Sequence, residues 1–236
     1  MKQKFYSAFW LKHLGVYYML VASFYFALNG ALAKVMAEHM SSAEIVFFRN
    51  VVGIAIVLFS LRRVKNLGPG GKPWLLAFRG FIGSCGILAT FYNIAHIDLG
   101  TAFTFQKTAP IFTALFSAFF LGEKLSSRGW FAILLGFGGI LLVVRPHIGI
   151  SVTDAVGIFG GMCAGLAYTS VRELRKHYAT NLIVLVFVSS ATFLSATMMI
   201  TGWVLEGSEV KILGLFSGAD LAKLAYFNPP SLFGWV

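Results

Sequence analysis

Residues 101–125 read TAFTFQKTAPIFTALFSAFFLGEKL, and the first 21 of them are mostly apolar. At 1.5 Å per residue such a run makes one helix about 30 Å long, the depth of a bilayer's hydrocarbon core. Three details set it apart from a plain greasy span. Thr101, Thr104 and Thr108 recur at i, i+3 and i+7, so they form one polar stripe on the helix. Gln106 and Lys107 sit inside the apolar run, where an unpaired cation costs roughly 2.5–3.5 kcal/mol on insertion scales. Pro110 removes a backbone donor in mid-helix and predicts a kink. The span stops at Gly122-Glu123-Lys124.

The rest of the chain has the same character. It is 58% hydrophobic and 12% charged, with a mean hydropathy of +0.79. Soluble domains carry about 25% charged residues, so a polytopic membrane protein is expected rather than a soluble helical core. Seven spans are predicted, at 14–35, 45–61, 74–95, 101–121, 129–144, 154–171 and 182–205. Turn chemistry separates them: LGPGGKP at 67–73, a polar loop at 122–128 and RPHIGIS at 145–151. The N-terminal MKQK leads into a long apolar segment without a small-residue cleavage site, which reads as a retained first helix. Cys85 and Cys163 both fall in apolar spans and argue for neither a disulfide framework nor a metal site.

The net charge of +10 is distributed by side. With alternating spans, 13 Lys and Arg fall on the side of the N-terminus, including Lys2, Arg62, Lys72, Arg79 and Arg175. The opposite side has four: Lys34, Arg145, Lys211 and Lys223. This bias predicts a cytoplasmic N-terminus. It serves topology and anionic headgroups. No stretch interleaves basic and aromatic residues on a solvated face, so nucleic acid is not an expected partner.

Residues 39–50, HMSSAEIVFFRN, align without gaps on 177–188, HYATNLIVLVFV, with His, Ile and Val coinciding at an offset of 138. The first loop carries Glu38 and Glu44, its counterpart Arg172, Arg175 and Lys176. An odd number of spans separates the copies, so the second must lie inverted and its loop must face the basic side. Inverted repeats of this kind mark secondary transporters with a solute site near the midplane.

The order "Thr-Ala, polar turn, mid-helix Pro, apolar run, Gly-Glu-Lys-Leu-Ser" at 101–126 resembles the fourth helix of EamA-type transporters, in the drug/metabolite transporter superfamily. EIVFFR at 44–49, ATFYNIAHI at 89–97 and residues 157–168 fit the same resemblance. It implies ten helices in two inverted five-helix repeats around a solute cavity. On that plan residues 1–145 are a first repeat, and 152–236 a partial second one of two helices and an outer loop. The expected fold is an all-α polytopic membrane protein, its first repeat complete and its second partial. Residues 208–227, followed by Asn228-Pro229-Pro230, read as an outer loop, and the closing residues resemble the entry to an eighth helix. The sequence is therefore expected to be incomplete.

Lys107, Gln106, Thr104 and Thr108 are candidate solute contacts, with Arg49 at comparable depth in the second span. Together Arg49 and Lys107 would attract a carboxylate or phosphate; alternatively Arg49 snorkels or pairs with Glu44. Asn29, Tyr92, Asn93 and Tyr168 complete the set, against packing or interfacial roles for the tyrosines. Glycines 157, 161 and 165, and 80, 83 and 86, read as ridges for close helix packing. Asp98 reads as a solvated cap of the fourth helix. No metal or cofactor is implied.

The leading reading is an inner-membrane secondary transporter of small organic metabolites, in uptake or efflux, coupled to a proton or sodium gradient or to exchange. A homodimer would be another way to complete the cavity. An integral-membrane enzyme would need clustered acid/base or metal-binding residues, and the nine acidic residues are scattered. A channel or scaffold subunit would favour a continuous polar lining, of which only the threonine stripe is a hint.

Overall fold

The computed structural model describes residues 14–63, 67–122, 125–144 and 151–205. These form eight helices and no strands: α1 (Leu14–Met36), α2 (Ser42–Leu61), α3 (Pro73–His96), α4 (Leu99–Gln106), α5 (Ala109–Leu121), α6 (Ser127–Val144), α7 (Val152–Leu174) and α8 (Thr180–Leu205). They coincide with the seven predicted spans; in the fourth, the kink expected before Pro110 is a tight turn at Lys107-Thr108, both residues keeping right-handed helical angles, that divides the span into α4 and α5. The expectations for residues 206–236, for the N-terminal lysines and for Glu123, Lys124, Arg145 and His147 fall outside the described residues.

Local chemistry accounts for the helix ends. Ser41 and Glu44 form a reciprocal capping box at the start of α2, and Ser151 and Asp154 do so for α7. Pro73 and Pro110 each stand in a first turn, where the missing N–H has no intrahelical partner to lose. Gly122, with φ of 68°, closes α5 in the left-handed region that other residues resist.

Four helical segments among the described residues are long and apolar enough to cross a membrane singly: Leu14–Met36, Ser42–Leu61, Pro73–His96 and Thr180–Thr201. Helix α7 lies inside the bundle, packed along α3 and against α4 and α5. Its buried face carries the glycines, its other face exposes Ile158, Phe159 and Tyr168, and Asp154, Arg172 and Glu173 stand in its end turns. Helix α8 packs on α2 and α3, and α1 lies at the edge with only Gly30 and Ala33 buried. The protein is thus an all-α, polytopic membrane protein.

The expected glycine ridges are contact surfaces. Gly157, Gly161 and Gly165 pass against Phe105, Thr108 and Phe112 of the α4–α5 region. On α3, Gly80 and Gly83 meet Ser190 and Phe187 of α8, whereas Gly86 meets Cys163 and Ala164 of α7. A three-residue step rotates about 60° short of a full turn, so this ridge winds from one neighbour to the next.

Helices α1 and α7 end 138 residues apart, at Met36 and Leu174, and α2 and α8 begin 138 apart. The turns after α1 and α7 match bond for bond. Glu38, His39 and Met40 N–H groups donate to the carbonyls of Val35, Met36 and Met36; Lys176, His177 and Tyr178 donate to those of Glu173, Leu174 and Leu174.

Candidate functional site

The break in the fourth span is built by its own sequence. Pro110 offers no N–H to the Gln106 carbonyl four residues back. The Ile111 N–H bonds the Thr108 carbonyl at 3.0 Å. The helix is interrupted at Lys107-Thr108 and resumes at Ala109. The break lies eight residues beyond Leu99, or about 12 Å into the bundle. Asp98 caps α4 as expected: its Oδ2 accepts the Thr101 N–H at 2.7 Å. That bond holds its carboxyl below the ordinary aspartate range.

The other side of the break is α7's glycine face and the Asn93 side chain of α3. Asn93, Gln106, Gly157 and Gly161 line one narrow space, too tight to admit water. Asn93 is 1% exposed, and both its amide nitrogen and its oxygen are buried without a hydrogen-bond partner. An unmet buried amide costs about 1–3 kcal/mol per group, so such a residue in an interior calls for an explanation.

The sequence candidates do not gather in one place. Asn93 and Gln106 meet at the break. Thr108 is there too, but its hydroxyl donates to the Phe105 carbonyl at 2.6 Å and it is buried against Gly161. Lys107 points the other way. It is exposed, its Nζ lies 5.7 Å from the Phe26 ring centre, and it lines a cavity of about 420 Å³ with Met19, Ser23, Phe26 and Phe103 between α1 and α4. Thr104 donates its hydroxyl to the Gly100 carbonyl at 2.9 Å.

Arg49 does not share a cavity with Lys107. Its guanidinium stacks 5.0 Å over Phe91 of α3 and reaches Asn50 Oδ1 at 3.4 Å. Nor does it pair with Glu44, whose Oε2 accepts the Ser41 N–H at 2.7 Å in the capping box and whose Oε1 is buried without a partner. Tyr92 borders an apolar cavity of about 260 Å³ with Ala43, Cys85, Leu88, Phe159 and Leu194. Asn29 is exposed on α1 and Tyr168 is 54% exposed on α7, so neither joins the break.

At the basic end, two loops far apart in sequence are tied together. The Gly70 N–H donates to the His177 carbonyl at 3.0 Å, and the Ala179 N–H to the Leu67 carbonyl at 2.9 Å. Gly68, with φ of 95°, lies so close to the His177 carbonyl that a Cβ would collide with it. Lys72 and Lys176 each approach Glu173 to 2.7 Å, and together they pull its carboxyl down to about 2, Lys176 contributing most. The sequence reading counted these cations as topology charges, and it passed over Glu173 because an acid among basic residues carries no periodic signal. Arg79 stands in the same count of topology charges, although six residues inside a Pro-started helix is a legible depth.

Long apolar helices packed around a proline-interrupted span and an unpartnered interior amide make this a polytopic membrane bundle. Among the described residues no three His, Cys, Asp or Glu side chains gather as a metal site. The EamA-like transporter family matches residues 13–145, and the chain belongs to it. It is 33% identical to an uncharacterized transporter of Helicobacter pylori, over 92% of this chain and 79% of the relative. It is 34% identical to the pseudopaline exporter CntI of Pseudomonas aeruginosa, over 82% of this chain and 69% of the relative. Solute carrier family 35 member G1 of Mus musculus is 30% identical over 70% of this chain and 43% of its own length. The comparison with solved structures gave no match.

Proposed function

We propose that the protein is a secondary carrier of small organic solutes in the inner membrane, with a cytoplasmic N-terminus and its solute site at the α4–α5 break. The observation that carries this is Asn93, buried and unpartnered beside the broken helix and the glycine face of α7. Broken helices near the midplane are where carriers bind solute and coupling ion. In the conformation described the space is closed.

Two inverted repeats, 1–145 and 152–236, are the frame for this reading. They are supported by the helix bounds and turn hydrogen bonds that recur at the 138 offset. Transporter names among the relatives support carriage rather than catalysis. The solute enters through the ends of the bundle in alternation, and the tied loops at the basic end are the closed gate of this conformation. Lys107 and Arg49 stand on other faces of the bundle, and their contribution to the solute is electrostatic guidance rather than contact at the break.

Counterflow in proteoliposomes tests the reading. Vesicles holding the purified protein are loaded with a panel of unlabelled metabolites and offered the labelled forms. Saturable exchange of at least one, without unitary currents, is expected. Asn93→Leu should abolish that exchange while the protein stays at least as heat-stable as the wild type, because an apolar side chain replaces an unmet amide. Unitary currents, or exchange unchanged in Asn93→Leu, would refute it.

A further inference from the structure

Arg79 is the least explained charge among the described residues. It stands six residues inside α3, about 9 Å from Pro73 along the helix axis. Its guanidinium lies 4.8 Å over the Phe187 ring of α8, at the α3–α8 contact. Nε and Nη1 are both buried, and neither has a hydrogen-bond partner. No carboxylate among the described residues forms an ion pair with it, and Glu173 at this end is held by Lys72 and Lys176. The Tyr168 hydroxyl of α7 is within electrostatic reach. Gly83, one turn on, passes so close that a Cβ there would run into the guanidinium.

A snorkelling arginine would turn its nitrogens toward the headgroups. Arg79 instead buries two of them among helices, where an uncompensated cation is costly. Two buried guanidinium nitrogens without a protein acceptor leave two donors free to bind an anion. The guanidinium fork matches carboxylate and phosphate oxygens, which it can take in pairs. Lys72 is the N-cap of α3, about two turns before Arg79, so the tied loops and Arg79 stand at the same end of that helix.

We propose that Arg79 is an anion-recognition residue of the carrier, taking a carboxylate or phosphate group of the solute in the basic half of the bundle once the loops 67–72 and 175–179 part. This rests on the carrier reading above and adds the class of solute: a small organic acid, phosphate ester or zwitterion.

The test uses the full chain purified in neutral detergent, with thermal unfolding followed by tryptophan fluorescence. Benzoate and inorganic phosphate are the probes, and choline chloride is the control for ionic strength. The wild type should be stabilised saturably by one or both anions and not by choline. Arg79→Gln should unfold no earlier than the wild type without anion, since it removes an unpaired buried charge, and should lose the anion shift. Arg79→Lys keeps the charge without the fork and should need at least ten-fold more anion for half the shift. A wild type that no anion stabilises overturns the proposal, as does an Arg79→Gln shift with unchanged half-saturation. Stabilisation only by phosphatidylglycerol in mixed micelles, and by neither free anion, makes Arg79 a lipid anchor and also overturns it. Counterflow separates the two readings. Exchange that survives Arg79→Gln unaltered removes Arg79 and leaves the carrier, whereas no exchange by the wild type removes the carrier whatever the anions do.

Discussion

The contact between α7 and the broken span can be tested by adding a single carbon at Gly165. A Cβ there would lie 2.6 Å from Phe112 Cβ and 3.1 Å from both the Phe112 carbonyl carbon and the Thr113 nitrogen. Comfortable contacts between carbons begin near ~3.5 Å. Two of the three atoms struck are backbone and cannot swing aside, so α5 and α7 must separate by roughly 0.5–1 Å. Overpacking of this size costs about 1–3 kcal/mol. Alanine also gains up to ~1 kcal/mol in helix propensity over glycine, which would mask part of the loss. Gly138→Ala on α6 isolates that gain, because a Cβ at 138 meets nothing within 4 Å. The difference between the two variants therefore reports the collision alone. At about 2–4 °C per kcal/mol for a chain of this size, Gly165→Ala should melt roughly 2–12 °C below Gly138→Ala. Differential scanning fluorimetry in detergent measures it directly. Equal midpoints for the two variants would mean that α7 does not press its glycine face on α5, and the geometry of the break would fall with it.

The tied loops make a second prediction. Glu173→Gln should leave the helices intact but speed hydrogen exchange at the Gly70 and Ala179 amides a few-fold, the modest scale expected for exposed ion pairs. Because the Glu173 carboxyl is held down to about 2, its contribution is complete above the ordinary glutamate range and is lost only as pH falls toward 2. Unchanged protection in Glu173→Gln at neutral pH would remove the ion pairs from the gate. Orientation is a third matter: both Glu38 and Arg62 are exposed, at opposite ends of α2. A cysteine replacing Glu38 should react with an impermeant thiol reagent on intact cells, and one replacing Arg62 only after permeabilisation. The reverse pattern would invert the proposed topology.

Span positions, loop chemistry and class were fixed by local and compositional facts. Apolar length, Pro73, Pro110, Gly122 and the two capping boxes act within a few residues of themselves, and their helices begin and end where those signals stand. The 138-residue offset was legible for a similar reason, since it compares the chain with itself. What a side chain faces is another matter. Lys107 and Gln106 are neighbours in sequence, yet the break turns one toward α1 and the other toward Asn93. Arg49 and Lys107 share a depth but not a cavity, because depth is one coordinate and azimuth depends on which helices pack beside them. Asn93 and Arg79 looked alike in the sequence to many polar residues near helix ends. Only the packing of α3 against α7 and α8 shows that the amide and two guanidinium nitrogens are buried with nothing to bond. Burial without a partner is a property of three-dimensional neighbours, and no pattern along a single chain can record it.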